Sequence, residues 1–250
     1  MLTAAQITHY RENGYLIVEN LLTLEEVEAL RERTVAIAEG RIQYPREHIE
    51  LEPGADTPSL KTVRKLNDCT HDPVFRAHAS RQATLDLVEA LLGPDLKVYG
   101  SQLFMKPPGG VEKPYHQDSP YFPIEPMDLA TCWVALDDVT VENGCMWVIP
   151  RSHTAGAYAH SEPWDLGGRI DMQIPESKFD RNTEVPLTIP AGGCSFHHSL
   201  LLHSSRPNKM PHSRRGLATH YMSAKSRWTD KSKPCPDFLH VRGQEWSGCV

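Results

Sequence analysis

The sequence lacks long apolar runs, an excess of basic residues and closely spaced cysteines. No run approaches the roughly eighteen apolar residues of a membrane-spanning helix, and the first residues lack the basic and apolar pattern of a signal peptide. Lys and Arg total 26 against 32 for Asp and Glu, so a polyanion would find no basic face to bind. We therefore predict a cytoplasmic protein that binds neither membranes nor nucleic acid.

The six cysteines are scattered, and no two of them form a Cys-x-x-Cys pair. A chain of 250 residues can bury a hydrophobic core without disulfide bonds. We expect free thiols in a reducing compartment. The cysteines are Cys69, Cys132, Cys145, Cys194, Cys235 and Cys249.

The first part of the chain has the pattern of several helices. Thr3–Gln6 and Thr23–Glu26 match capping boxes, in which a hydroxyl and an acidic or amide side chain satisfy free amide groups at a helix start. Asp72, which precedes a proline, predicts another helix start, and an apolar stripe at helical spacing ends at Gly93. The aromatic and β-branched segment Tyr15–Val18 predicts a strand between two of these helices.

After Pro94 the sequence changes to short apolar segments separated by Gly, Pro and Asn, which is typical of an all-β barrel or sandwich. We predict one domain over 1–250, in which a mainly helical part (1–95) packs on a β core (96–225) and a C-terminal tail (226–250) follows. The candidate strands are 97–105, 131–136, 146–149, 185–189, 195–202 and 216–222.

Two polar segments rich in Pro and Gly, 41–58 and 155–183, predict long loops. Loops of this length often act as lids or determine specificity. Plain surface loops would have the same composition, so the sequence does not decide between the two.

The thirteen histidines direct attention to His-x-acid motifs. A facial-triad iron site needs two imidazoles and one carboxylate. On a strand, the His and Asp side chains of His-x-Asp point to the same face because successive side chains alternate. Of three matches, only His116-Gln-Asp118 follows a β-rich segment and a Pro-Gly turn. His48 and His160 belong to the other two and lie in predicted loops, so we interpret them as surface residues.

The best candidate for a third ligand is His203, which follows the apolar run 200–202 and marks a predicted strand end. His197 and His198 precede it on the same predicted strand, where parity places only His197 on the face of His203. We interpret His197, His198 and His220 as packed or hydrogen-bonded core histidines.

Arg214 follows His203 by eleven residues and begins the next predicted strand. A guanidinium can form two parallel charge-assisted hydrogen bonds with the buried carboxylate of a dicarboxylate co-substrate. Arg215 is adjacent, and alternation directs only one of the pair inward. Composition alone does not exclude Arg215.

Together these residues resemble the phytanoyl-CoA dioxygenase family of iron(II)- and 2-oxoglutarate-dependent oxygenases over nearly the whole chain. The resemblance implies a mainly β fold with flanking helices (α+β) around a double-stranded β-helix core of the jelly-roll, cupin-like type. The matching blocks are 13–18, Lys106-Pro-Pro108, His116-Gln-Asp118, Glu142-Asn-Gly-Cys145 with Pro150 and His153, and His203-Ser with Asn208 before Arg214.

By this resemblance, His116, Asp118 and His203 bind ferrous iron and form the catalytic centre. Arg214 and Ser205 would hold the far carboxylate of 2-oxoglutarate. The resemblance also assigns three residues to the co-substrate pocket, namely Lys65, Gln102 and Trp133.

Some of these assignments have alternatives. Lys65 would otherwise be a solvated surface lysine, and Trp133 a core tryptophan. Asn208 would fix the turn after His203 instead of contacting a ligand.

The resemblance implies an enzyme that uses ferrous iron, 2-oxoglutarate and dioxygen, with ascorbate as an external reductant. It would hydroxylate or otherwise oxidise a C–H bond of a small organic substrate and release succinate and carbon dioxide. Related halogenases replace the carboxylate ligand with a small residue, so Asp118 favours hydroxylation. No basic cluster for a CoA phosphate is evident, which favours a small molecule or secondary metabolite over an acyl-CoA.

Two other functions fit part of the pattern. A cupin-like isomerase or hydrolase could use the same ligands with another divalent metal, but it would not need Arg214. A catalytically inactive binding module would not need the intact triad. The oligomeric state cannot be predicted from the sequence.

Overall fold

A computed structural model describes residues 1–166 and 169–250 of the chain. None of the helices in these ranges is long and apolar enough to cross a bilayer. The α-helices are α1 (Ala4–Asn13), α2 (Leu24–Ala38), α3 (Pro73–Ala79) and α4 (Gln82–Leu92), and the short 3-10 helices are Arg46–His48, Cys69–His71, Ser119–Tyr121, Ser152–Ala155, Glu176–Lys178 and Arg181–Thr183.

The predicted helix starts are confirmed. The Thr3 and Thr23 side chains accept hydrogen bonds from the backbone amides of Gln6 and Glu26, whose own side chains accept from the two threonine amides. Each capping box thereby satisfies amide groups that have no partner within the helix. Asp72 likewise caps α3 by accepting from the Val74 amide.

Most of the chain after α4 is extended, as the sequence texture predicts. The strands are β1 (Tyr15–Val18), β2 (Ile49–Leu51), β3 (Val63–Leu66), β4 (Leu96–Lys106), β5 (Lys113–His116), β6 (Ile124–Glu125), β7 (Leu129–Ala135), β8 (Met146–Val148), β9 (Glu162–Leu166), β10 (Arg169–Gln173), β11 (Val185–Leu187), β12 (Cys194–His198), β13 (His203–Ser205), β14 (Arg214–Ser223), β15 (Arg227–Trp228) and β16 (Leu239–Arg242).

Two antiparallel sheets face each other. The larger sheet has the order β1-β12-β7-β14-β4-β3-β2, with β16 also paired to β4, and the smaller sheet has the order β11-β8-β13-β5. Apart from β2, β3 and β4, neighbouring strands in these sheets are far apart in sequence, which is the connectivity expected of a double-sheet jelly roll. The double-stranded β-helix fold, with its flanking helices, is thus confirmed.

The main apolar core joins the helices to the larger sheet. Leu30 and Ile37 of α2, and Leu85 of α4, pack with sheet residues such as Phe196 and Leu217, and all five are buried. A second cluster lies between the two sheets around Trp133, Val148 and Leu201. Because the helices cover one face of the larger sheet, its other face is left to form the inside of the barrel.

The long loops predicted at 41–58 and 155–183 contain regular structure that their composition conceals. The first includes β2, which extends the larger sheet through β3. The second includes the hairpin of β9 and β10. Prolines and glycines punctuate both segments, but the tertiary pairing of short strands between them outweighs that local signal.

The division at residues 95 and 225 stays a prediction. On either side of it, β1, β2 and β3 as well as β16 join the larger sheet. The N-terminal part is therefore interwoven with the barrel as well as packed on it.

The predicted strand 195–202 is too long. It ends at His198 as β12, residues 199–202 turn, and His203 opens β13 in the other sheet. The parity argument that placed His197 and His203 on one strand therefore fails. The apolar character of residues 200–202 comes from burial of Leu201 and Leu202 in this turn.

Candidate metal centre and co-substrate pocket

A cavity of about 440 Å³ lies between the two sheets. Its lining comes from β4, β7, β12 and β14 on one side and from β5, β8 and β13 on the other. The predicted metal ligands and all five predicted co-substrate residues line this one cavity, namely His116, Asp118, His203, Lys65, Gln102, Trp133, Ser205 and Arg214.

The two proposed histidine ligands face each other across a strand pair. His116 ends β5 and His203 begins β13, where the two residues are direct partners, and their ring centroids are 4.1 Å apart. Potential ligand atoms of His116, Asp118 and His203 all lie within 4.8 Å of one another. The structure thus brings together side chains from segments almost ninety residues apart, as the sequence predicts.

Asp118 reaches this centre by a different route from the predicted one. The strand ends at His116, and the amides of Asp118 and Ser119 both donate to the Ser199 carbonyl, at 2.9 and 3.0 Å. Asp118 has helical backbone angles and precedes the 3-10 helix Ser119–Tyr121. The period-two argument for His-x-Asp is therefore wrong here, because a turn directs the carboxylate toward His203.

Hydrogen bonds orient both imidazoles for metal binding. His116 Nδ1 lies 2.8 Å from the Pro114 carbonyl and His203 Nδ1 lies 3.0 Å from the Leu201 carbonyl. A carbonyl only accepts, so each Nδ1 donates and each Nε2 keeps its lone pair. Burial lowers the pKa of His203 to about 4 and that of His116 well below its usual range, so both rings are neutral ligands near pH 7.

The carboxylate is kept ionised by its neighbours. Burial alone would raise the pKa of Asp118, but the adjacent His203 imidazole and a hydrogen bond from His197 outweigh it and hold that pKa well below the usual range. Oδ1 of Asp118 lies 3.7 Å from His203 Nε2. Two neutral imidazoles and one carboxylate on one side of a cavity are the ligand set of a facial triad, so these residues fit a ferrous ion.

The second oxygen of Asp118 is surrounded by other polar side chains. Oδ2 accepts a hydrogen bond from Thr131 Oγ1 at 3.2 Å and lies 3.4 Å from His197 Nε2 and 3.9 Å from His220 Nδ1. His197 and His220 are buried as predicted, but both line the cavity beside the metal centre. His198 lies apart from it, with Nε2 3.3 Å from Asp128.

Gln117, the residue between the two motif ligands, is fully buried and ties the centre to its surroundings. Its amide nitrogen donates to the carbonyls of Gly156 and Leu200, at 2.9 and 2.6 Å, and its Oε1 accepts from the Tyr158 amide at 2.7 Å. The Gln117 backbone amide donates to Nε2 of His160 at 3.0 Å. His160 is therefore half-buried against the motif, and the prediction that it is a surface residue is wrong.

His48, the other motif histidine interpreted as a surface residue, is also partly covered. Its side chain is 24% exposed, and Nδ1 lies 3.1 Å from Asp68 Oδ2. It does not line the cavity, so its exclusion as a ligand candidate agrees with its position. The contacts of His48 and His160 arise from distant chain segments, and no local sequence signal marks them.

Arg214 is a buried cation at the same cavity. Its side chain donates to the Gly144 carbonyl at 2.9 Å, and its guanidinium carbon lies 5.2 Å from the centre of the Trp133 ring. Among the described residues its Nε has no hydrogen-bond partner and no carboxylate forms a salt bridge with it. Burial lowers the pKa of Arg214 to about 10, which leaves it charged at neutral pH. A buried cation with no paired carboxylate favours an anionic ligand at this position.

Arg215 has the opposite environment. Its guanidinium forms a two-point ion pair with Asp137, with N–O distances of 2.9 and 2.6 Å. Alternation along β14 thus turns Arg214 into the barrel and Arg215 toward Asp137, which resolves the choice that the sequence left open.

The other predicted co-substrate residues hold neighbouring side chains in place. Ser205 Oγ accepts from Lys106 Nζ at 2.8 Å. Lys65 forms an ion pair of 2.9 Å with Glu50, and Gln102 donates to Asn67 at 3.2 Å. Asn208 donates to the carbonyls of Lys106, Pro107 and His212, and therefore ties the turn that follows β13.

Both predicted long loops reach the cavity. Glu50 on β2 and Asp171 on β10 belong to its lining, and Asp171 forms an ion pair with Lys113 of β5. Lys113 lies on the same short strand as His116. The hairpin of β9 and β10 is thus attached to the strand that presents a metal ligand.

Known proteins match this chain in sequence over most of its length. The profile of the family described as phytanoyl-CoA dioxygenase (PhyH) matches residues 10–216. Human peroxisomal phytanoyl-CoA dioxygenase is 29% identical over 240 residues, covering 92% of this chain and 71% of the relative. Phytanoyl-CoA dioxygenase 1 of rice (Oryza sativa subsp. japonica) is 27% identical, and the match covers 93% of this chain and 95% of the rice protein.

Solved structures share the fold over nearly the full length. The non-haem monooxygenase ThoJ superimposes with a TM-score of 0.76 at 27% identity, covering 98% of this chain and 86% of its own. EctD from S. alaskensis, solved with 2-oxoglutarate and 5-hydroxyectoine, gives a TM-score of 0.78 at 23% identity and covers 99% and 86%. That identity supports the fold alone. On the profile match over most of its length, the chain belongs to the phytanoyl-CoA dioxygenase family.

Proposed function

We propose that this protein oxidises a C–H bond of a small organic substrate while it converts 2-oxoglutarate to succinate and carbon dioxide. Membership of the family and the His-Asp-His centre make the chain a non-haem iron(II)- and 2-oxoglutarate-dependent oxygenase.

His116, Asp118 and His203 would hold the iron through the two Nε2 atoms and the carboxylate. When bound, ferrous iron supplies dioxygen activation coupled to oxidation of 2-oxoglutarate. The three side chains would occupy one face of the ion and leave its other positions for the co-substrate and dioxygen.

The observation that carries the proposal is Arg214, which lines the cavity of the triad, is buried and has no carboxylate partner among the described residues. A dicarboxylate that reaches toward the metal at one end would neutralise this guanidinium at the other. Ser205 and Lys106, which are hydrogen-bonded to each other, would donate further hydrogen bonds to the same co-substrate carboxylate. Trp133, Gln102 and Lys65 would then form the walls around the co-substrate.

The alternative functions account for less of this arrangement. A cupin-like isomerase or hydrolase would use the triad but leave Arg214 buried without a counterion. An inactive binding module would have no use for two histidines held in the ligand tautomer. Neither alternative explains both features.

The substrate is proposed to be a small molecule, and the location is proposed to be the cytoplasm. Curated relatives include a human enzyme named as peroxisomal, and that location belongs to the relative. The charged cavity lining, including Glu50, Arg64 and Asp171, is less suited to a long saturated chain than to a polar compound.

Succinate release from 2-oxoglutarate with ferrous iron, ascorbate and air tests the proposal. His116→Ala and Asp118→Ala should abolish it because each removes a metal ligand, whereas His48→Ala, outside the cavity, should retain it. Anaerobic addition of ferrous iron and 2-oxoglutarate should give a visible charge-transfer band in the wild type and not in Asp118→Ala. Wild-type succinate release by either ligand variant would refute the assignment.

A further inference from the structure

His220 is a buried histidine of the cavity wall outside the proposed set of metal and co-substrate ligands. It lies on β14, is 4% exposed and packs its ring against that of Phe122, with centroids 4.9 Å apart. Its Nδ1 lies 2.8 Å from Thr131 Oγ1. Its Nε2 is buried and has no hydrogen-bond partner within the described parts of the chain.

The hydrogen bonds of Thr131 indicate which ring nitrogen of His220 carries the proton. Thr131 has a single hydroxyl hydrogen, which it donates to the Asp118 carboxylate at 3.2 Å, because a carboxylate can only accept. With that hydrogen used, we assign the His220 contact as one in which the hydroxyl oxygen accepts from Nδ1, so that Nδ1 carries the proton. In the neutral ring, Nε2 is then left with an unused lone pair.

His197, in the same cavity wall, differs from His220 in which ring nitrogen lacks a partner. His197 also has one ring nitrogen with no partner in the described part of the structure, but that atom is Nδ1, next to its own backbone. Its outer nitrogen, Nε2, lies 3.4 Å from Asp118. In His220 the inner nitrogen is the one engaged. The outer nitrogen, at the tip of a side chain that lines the cavity, is the one that stays free.

This free nitrogen is separate from the proposed co-substrate anchor. Arg214 and His220 are six residues apart on β14, so their Cα atoms are about 20 Å apart at the rise of an extended strand. His220 nonetheless lies beside the metal centre, with Nδ1 3.9 Å from Asp118 Oδ2.

We propose that Nε2 of His220 accepts a hydrogen bond from an O–H or N–H group of the substrate, close to the carbon that is oxidised. This inference rests on the proposed function and narrows its substrate class. The substrate is a hydroxylated or nitrogen-bearing small molecule, and not the saturated hydrocarbon chain of a fatty acyl thioester. A chain of that kind would leave a buried acceptor unpaired, which lowers kcat/KM by about tenfold or more.

The tautomer can be measured without a substrate. In the zinc-substituted protein with 2-oxoglutarate, labelled with ¹⁵N-histidine, a long-range proton–nitrogen correlation should show His220 protonated at Nδ1 and unprotonated at Nε2. Loss of the signals in His220→Gln assigns them. A proton on Nε2 would overturn the proposal, because that atom would then be a donor.

Substrate preference is tested with matched pairs of small molecules, each an alcohol or amine with its deoxy or desamino analogue, and with straight-chain fatty acyl-CoAs as donor-free chains. The readout is stimulation of succinate release. Compounds that stimulate the wild type should carry the donor, and their analogues should be at least about tenfold poorer in kcat/KM. Equal stimulation by the analogue or by a fatty acyl-CoA would overturn the proposal.

Variants separate hydrogen bonding from shape. His220→Phe, which keeps a ring but removes the acceptor, should reduce the preference for the donor-bearing compound to about threefold or less, and His220→Gln, which retains an acceptor oxygen, should restore part of it. His78→Gln, a buried histidine outside the cavity, is the control and should keep the full preference. An unchanged preference in His220→Phe would also overturn the proposal. Failure of the oxygenase assignment would appear differently, as an absence of iron-dependent succinate release, while the tautomer measurement would be unaffected.

Discussion

The guanidinium of Arg214 stacks on the ring of Trp133 at 5.2 Å, and this contact exists because residue 216 is glycine. A Cβ at Gly216 would lie 1.8 Å from Cζ2 of the Trp133 ring. The strand that carries the cation therefore also makes room for the aromatic side chain beneath it. Three residues of two adjacent strands thus shape the proposed co-substrate site.

Arg214→Ala should weaken 2-oxoglutarate binding and leave iron binding intact. Loss of a charged hydrogen-bond pair corresponds to roughly 1.5 to 3 kcal/mol, seen as a higher KM for 2-oxoglutarate. Arg214→Lys should rescue little, because an ammonium cannot make the two-point contact. Arg215→Ala is the matched control and should leave this KM unchanged, since Arg215 pairs with Asp137. If the KM rose only in Arg215→Ala, the roles of the two arginines would be reversed.

Gly216→Ala should both destabilise the protein and raise the KM for 2-oxoglutarate. The added methyl group forces the Trp133 ring out of place, at a cost of about 1 to 3 kcal/mol in unfolding free energy. Gly100→Ala on the neighbouring β4 is the control, because its Cβ would meet no atom within 4 Å. Urea denaturation and co-substrate kinetics on both variants check the prediction, which fails if the two behave alike.

Gln117→Leu should lower the affinity for ferrous iron by roughly 10- to 100-fold, as expected when a group that orients metal ligands is removed. The substitution breaks the bonds to the turn before His203 and to residues 156 and 158. Gln244→Leu, at an exposed site, is the control. Metal titration by calorimetry decides the matter, and equal affinities in the two variants would rule out a positioning role for Gln117.

Stability of the metal-free protein should fall as the pH drops from 6.5 toward 4. Burial, with a smaller effect of Arg81, lowers the pKa of His78 from 6.5 to about 4. In that window the unfolded chain binds a proton that the folded chain does not, so the contribution is complete above pH 6.5 and is lost on acidification. For one such histidine it amounts to about 3 kcal/mol. His78→Gln should therefore show a shallower pH dependence in denaturant titrations, and an unchanged slope would contradict it.

Local signals in the sequence were sufficient for the helix starts and the identities of the candidate ligands. A capping box involves residues within one turn, so Thr3 and Thr23 predict their helices without knowledge of the rest of the fold. His116 and His203 stand out because of the strand-like segments beside them. Arg214 follows from its place at a strand start, and its inward direction required the pairing of Arg215 with Asp137.

The contacts around the centre could not be predicted because they join distant segments. Gln117 meets residues 156, 158 and 200, and Thr131 bridges Asp118 to His220. No spacing rule relates such positions. The turn at Asp118 could not be predicted either, because the His-x-Asp pattern favours a continuous strand. In the structure, two successive amides, of Asp118 and Ser119, donate to the Ser199 carbonyl and end the extended conformation.

Strand β14 is hydrogen-bonded to β4 on one side and β7 on the other along most of its length. Its inward-facing residues Arg214 and His220 are therefore held at a fixed separation along the strand. We expect the evolution of new substrate specificities on this scaffold to preserve that separation. Changes are expected instead in β2 and the β9–β10 hairpin, which contribute to the cavity lining, because insertions there leave Arg214 and His220 in place.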